Sequence, residues 1–78
     1  MKLTDLPKGQ NALVSELDFD ASQAKLARRL ILMGIRPGAC LEMVGRAPLG
    51  DPFVVRLNNQ GFGLRRELAE LIKVTPCD

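Results

Sequence analysis

The chain contains no histidine, tryptophan or tyrosine, and only three phenylalanines and two cysteines among its 78 residues. Without histidine there is no imidazole for a catalytic triad, for general acid–base work near neutral pH, or for metal ligation. No GxxxxGK[ST] loop and no pair of carboxylates with a shared local setting takes its place, so neither catalysis nor a bound cofactor is expected. Cys40 and Cys77 are too few for a disulfide framework and lack the spacing of a metal knuckle, which points to reduced thiols and no metal site. No apolar run approaches the roughly 20 residues of a membrane span, and Met1 to Lys8 lacks the apolar stretch of a signal peptide. The expected location is therefore cytoplasmic, without direct membrane insertion. Eleven Lys and Arg against nine Asp and Glu leave a net charge of +2, too weak a field to attract phosphate backbones without clustering. The missing Tyr and Trp also deprive a nucleic-acid-binding barrel of its stacking platforms.

What is present is ordinary for a folded chain. Hydrophobic residues make up 46% and charged residues 26%, well outside the range of disordered segments. The length supports one domain, residues 1–78, expected as a monomer. A fold of this size buries only about 60% of the surface its unfolded chain exposes, which leaves little room for a deep cleft.

Two leucines and then Pro7 and Gly9 suit an anchored lead-in that ends in a turn. Asn11 to Leu17 is predicted as a short strand with Leu13 and Leu17 on one face. Asp20 with Gln23 three residues on has the spacing of a capping box and opens a helix predicted to run to Met33. Leu26, Leu30 and Met33 share one side of it, with Lys25, Arg28 and Arg29 elsewhere around the cylinder. Gly34 stops the helix, and Arg36-Pro37-Gly38 has the residue order of a type II turn, so Gly34, Pro37 and Gly38 read as architecture. Ala39 to Arg46, with Leu41 and Met43 inward, and Phe53 to Leu57 are predicted as paired strands. Asn58-Asn59 then turns into a glycine-containing strand, Gln60 to Leu64. A helical corner from Arg65 to Leu71 and a closing strand from Ile72 to Thr75 complete the chain. The expected class is mainly β: a small SH3-like five-stranded barrel, with one α-helix inserted after the first strand and a short helical corner before the last. An OB-like barrel is the alternative, and barrel closure is expected to hide the sheet edges.

The stretch from Leu30 through Met33-Gly34-Ile35-Arg36-Pro37-Gly38 to Ala47-Pro48-Leu49-Gly50-Asp51-Pro52, followed by Leu64-Arg65-Arg66 with Ala69, Ile72 and Val74, resembles the FeoA family. The resemblance runs from Leu3 to Val74. It implies a small cytoplasmic SH3-like domain that accompanies the membrane protein FeoB in bacterial ferrous iron uptake; related domains occur in some metal-dependent repressors. Two positions depart from the family pattern. Asn59 stands where relatives have glycine, and Leu68 stands where they have a glutamate, a change expected to alter a surface contact.

On this reading the chain is a non-enzymatic accessory protein that docks on a FeoB-like membrane transporter. The other functions considered are a nucleic-acid-binding small β-barrel and a metal-sensing SH3-like domain. Partner contacts are expected in two places. Leu30, Ile31, Leu32 and Met33 are apolar nearly all round the helix, so Ile31 or Leu32 should face water beside Arg28 and Arg29. The Ala47 to Pro52 loop is longer than a tight hairpin needs and carries Leu49 near its tip, so Pro48, Leu49 and Asp51 serve either loop closure or partner contact. Arg65 and Arg66 beside Glu67 and Glu70 read as an internally balanced, solvated corner.

Overall fold

A computed structural model describes residues 1–77. The strands β1 (Asn11–Leu17), β2 (Cys40–Arg46), β3 (Phe53–Leu57), β4 (Gln60–Leu64) and β5 (Ile72–Pro76) form one antiparallel sheet in the order β4-β3-β2-β1-β5. Helix α1 (Ala24–Leu32) lies between β1 and β2, and a one-turn helix, α2 (Arg66–Ala69), lies between β4 and β5. This is the expected architecture of an SH3-like barrel with one inserted helix and one helical corner.

Alternation along the strands supplies the core. Leu41 and Met43 of β2, Phe53, Val55 and Leu57 of β3, Leu64 of β4, and Ile72 and Val74 of β5 all point inward and are buried. Leu30 from α1, Ile35 just beyond it, Leu3 and Leu6 from the N-terminal lead-in, and Leu68, Ala69 and Leu71 at the α2 corner join the cluster. In β1 the inward residues are Ala12 and Val14, while Leu13, which the sequence groups with Leu17 on one face, is 44% exposed. The pairing of β1 with β5 shifts register between Val14 and Glu16, so Leu17, although odd-numbered like Leu13, turns back to pack partly against the core.

Asp20 opens the helical segment as a capping box. Its carboxylate accepts from the Ser22 N–H and hydroxyl, and its own N–H donates to Gln23 Oε1 at 3.1 Å. A 3₁₀ turn over Ala21–Gln23 precedes the α-helix. The helix ends in a Schellman motif: Ile35 N–H donates to the Leu30 carbonyl at 2.9 Å and Gly34 N–H to the Ile31 carbonyl at 3.0 Å. Gly34 has φ +93°, and a Cβ there would sit 3.2 Å from Leu57 Cδ2. The left-handed φ favours glycine and the close approach of Leu57 adds to the crowding a side chain would meet, and Ile35 joins Leu30 in the core. The Pro37–Gly38 turn closes with a 2.9 Å bond from Ala39 N–H to the Arg36 carbonyl.

The barrel is not closed by hydrogen bonds, contrary to the expectation that its edges are hidden: β4 and β5 end the sheet on either side. The β5 edge is covered by the lead-in, through a bridge between Lys2 and Lys73 and a 2.8 Å bond from Val74 N–H to the Met1 carbonyl.

Candidate functional site

The two groups of predicted contact residues lie at opposite ends of β3. Gly34, at the end of α1, packs on Leu57, while the Ala47–Pro52 loop leads into Phe53. Strand geometry separates Phe53 from Leu57 by about 13 Å.

On α1, both Ile31 and Leu32 face water, at 44% and 76% exposure. The helix buries Ala27 and Leu30 and half-buries Leu26 and Met33, so the opposite side belongs to Lys25, Arg28, Arg29 and Leu32. These four follow i, i+3, i+4, i+7 spacing and form a single outward stripe, with Ile31 beside it. Among the described residues no ion pair engages Lys25, Arg28 or Arg29. The arrangement is an apolar residue flanked by three cations that no anion of the described fold neutralises. Lys25 was not singled out for contact in the sequence, although its place seven residues before Leu32 sets it on the same stripe.

The loop differs. Ala47 to Gly50 is a turn with Pro48 in its second position, closed by Gly50 N–H donating to the Ala47 carbonyl at 2.8 Å, and Leu49 stands out at 97% exposure. Ala47 N–H also donates across the loop to the Pro52 carbonyl at 3.0 Å, and the Asp51–Pro52 peptide is cis. Asp51 is structural, since its carboxylate accepts from Arg66 N–H at 2.8 Å and so satisfies an orphan donor of α2. Arg66 does not balance Glu67 and Glu70 as the sequence suggested; its guanidinium lies 5.3 Å from the ring centre of Phe53. Arg46 lies 4.8 Å from the same ring and donates to the Thr4 carbonyl at 2.9 Å. The polar groups around this loop are therefore spent on holding the loop, α2 and the lead-in together.

Leu68 is a core residue, 6% exposed, so its departure from the family pattern changes the packing under α2 and not a surface contact. Phe19, which no motif in the sequence marks, is 44% exposed at a cleft of about 450 Å³ that also includes Asp18, Asp20, Glu67 and Glu70. Four carboxylates against the single Lys2 make its rim acidic and unsuited to phosphate, and of the other two phenylalanines Phe53 is buried and Phe62 is partly covered. Asp20 titrates below the usual carboxylate value because the Ser22 hydroxyl, and then backbone N–H groups, donate to its charged form. Lys73, opposite Glu16 in the β1–β5 ladder, is held above the usual lysine value, first by its hydrogen bond to Asp18 and then by the charges of Asp18 and Glu16. Among the described residues no cluster of three or more Cys, Asp or Glu is placed to hold a metal ion, and no helix is long and apolar enough to cross a membrane.

The sheet order, the helix between β1 and β2 and the helical corner before β5 define an SH3-like domain carrying an additional helix. The FeoA domain family profile matches residues 1–76, and the chain belongs to that family. The solution structure of iron(II) transport protein A from Clostridium thermocellum is similar at 39% identity and a TM-score of 0.83, over 95% of this chain and 44% of that one. This chain thus spans less than half the length of that relative. FeoA from Chlorobium tepidum gives 38% identity and a TM-score of 0.81, over 95% of this chain and 68% of that one. The crystal structure of Stenotrophomonas maltophilia FeoA complexed with zinc, described as a procaryotic SH3 domain protein, gives 34% and 0.81, over 96% of this chain and 89% of that one. No curated protein matches the chain significantly.

Proposed function

We propose that the chain is a non-enzymatic, cytoplasmic accessory protein of bacterial ferrous iron uptake that docks through α1 on the cytoplasmic part of a FeoB-like transporter. Family membership supports the iron-uptake setting, since the relatives include an iron(II) transport protein and a suggested ferrous iron transport activating factor. The observation that carries the docking reading is the outward stripe of α1, where Leu32 projects at 76% exposure among three cations that no ion pair engages among the described residues. Such a surface suits a partner offering carboxylates around an apolar pocket: charge steers the encounter, and burial of the leucine supplies the anchor. The loop at the far end of β3 offers Leu49 as a second apolar point, but Asp51 and Arg46 beside it are already engaged.

The test is titration calorimetry of this chain against the purified cytoplasmic region of a FeoB-like transporter. Leu32→Glu is expected to weaken binding while leaving the melting temperature unchanged. Undiminished binding by a folded Leu32→Glu variant sinks the α1 assignment, and no binding by the native chain sinks the transporter assignment.

A further inference from the structure

The two edges of the sheet are treated differently. The β5 edge is covered by residues 1 and 2, whereas among the described residues nothing pairs with the outer side of β4. The hairpin geometry says which groups that side presents. Asn58 and Asn59, at φ 51° and 68°, form a two-residue turn that makes Leu57 and Gln60 a mutually hydrogen-bonded pair. Alternation along the ladder then directs the backbone groups of Gln60, Phe62 and Leu64 toward β3 and those of Gly61 and Gly63 outward. Four donors and acceptors therefore line the open edge, carried by two exposed residues without side chains. Phe62, between them on the inner face, is packed on the core yet only partly covered. None of the usual edge protections, a lysine, a proline or an inward charge, occurs from Gln60 to Leu64.

We propose that this edge pairs with the same edge of a second copy of the chain, in an antiparallel two-fold seam centred on Phe62. The strand is complementary to itself in that register. Gly61 faces Gly63 of the second copy and the reverse, each pair exchanging two N–H to carbonyl bonds, so all four outward groups are satisfied. The two Phe62 residues form the non-hydrogen-bonded pair, the closer-spaced kind, and their rings meet on the inner face where each is now partly exposed. Arg65 falls opposite Asn59 and Arg66 opposite Asn58, so no like charges meet across the seam. A β4-to-β5 contact, which would propagate head to tail, is obstructed by residues 1 and 2 on β5, leaving the closed two-fold arrangement. The seam joins two five-residue strands and falls below the area of stable complexes, so its dissociation constant is that of a weak, transient contact.

Sedimentation velocity on the native chain up to about 1 mM, the range in which such a constant is read, is expected to show a reversible monomer–dimer equilibrium. An isotope-filtered experiment on mixed labelled and unlabelled chains is expected to show a cross-peak between the Phe62 Hα protons of the two copies. Gly61→Pro removes an outward N–H that the β3 ladder does not use, a change edge strands tolerate, and should weaken dimerisation tenfold or more. A chain that stays monomeric throughout, a dimer without the Phe62 cross-peak, or a folded Gly61→Pro variant that dimerises as before overturns the proposal. If Gly61→Pro does not fold, the cross-peak in the native chain decides.

Discussion

The outer stripe of α1 and the Ala47–Pro52 loop each lift a leucine into water, Leu32 at 76% and Leu49 at 97% exposure, yet their surroundings differ. Leu32 stands on a helix fixed at both ends, by the Asp20–Gln23 capping box and by the Schellman motif at Gly34, among cations that the described fold does not use. Leu49 stands on a turn whose neighbours Asp51, Arg46 and Arg66 are committed to holding parts of the chain together. Exposure of a single leucine is common and means little. What separates the two is the state of the charges around them, since only charges without internal partners remain for another molecule.

The largest effect that sharpens this comparison comes from a third leucine. Leu41→Glu places a carboxylate in the core at a position 1% exposed and is expected to cost about 4 kcal/mol or more, enough to unfold a domain this small. Leu32→Glu and Leu49→Glu should leave urea melts within about 0.5 kcal/mol of the parent, the usual range for surface changes. Of these two, only Leu32→Glu should reduce transporter affinity, by about 1–3 kcal/mol, the scale of a hot-spot residue. Equal losses from both would erase the distinction.

Next in size, Gly34→Ala should destabilise by about 1–2 kcal/mol, because it forces a Cβ into the left-handed region and against Leu57. Since this loosens the end of α1, it should also lower affinity measurably, whereas a strain confined to the loop should not. Asp51→Ala should cost about 1 kcal/mol by orphaning the Arg66 N–H. Affinity untouched by that change is the result expected if Asp51 is structural; a loss matching Leu32→Glu would make it a contact residue instead.

The smallest effect is one of pH. Asp20 has its folded pKa lowered below 3.8, so its contribution is fully present above that value and fades as pH falls through the lower folded value. The helix-opening cap should therefore weaken only below about pH 4, the ordinary carboxylate range, by an amount that solvent screening keeps small. Amide exchange of residues 22–24 should report it, while the loop amides stay unaffected. Lys73 behaves oppositely: with its pKa raised above 10.5, its cross-strand contribution is complete below that value and is lost only in strong alkali.

Much of the molecule is legible in the chain because its signals are local. Capping spacing at Asp20 and Gln23, the glycine after Met33, the Pro37–Gly38 turn and the alternation in Phe53 to Leu57 each act over a few residues, and the structure has each of them. The excess of apolar residues at the end of α1 likewise announced exposed Ile31 and Leu32, since a helix packed on one side cannot bury all of its circumference. Local reading failed where inward and outward were settled by neighbours. Leu13 outranks Ala12 in hydrophobicity, yet pairing of β1 with both β2 and β5 placed Ala12 and Val14 inward. Leu68 looked like a surface position until the turn of α2 closed over the core.

The sequence by itself determined the order and kind of the elements, their turns and the family to which they belong, because each rests on backbone preferences and spacings a few residues long. Tertiary structure alone decided that Asp51 caps α2, that Arg46 and Arg66 lie on Phe53, and that the helix stripe and the loop fall at opposite ends of β3. It also decided that one sheet edge is covered by the lead-in while the other is left open. The physical reason is that these relations join residues far apart in the chain, and only the packing of the sheet fixes which charges are consumed within the fold and which remain for a partner.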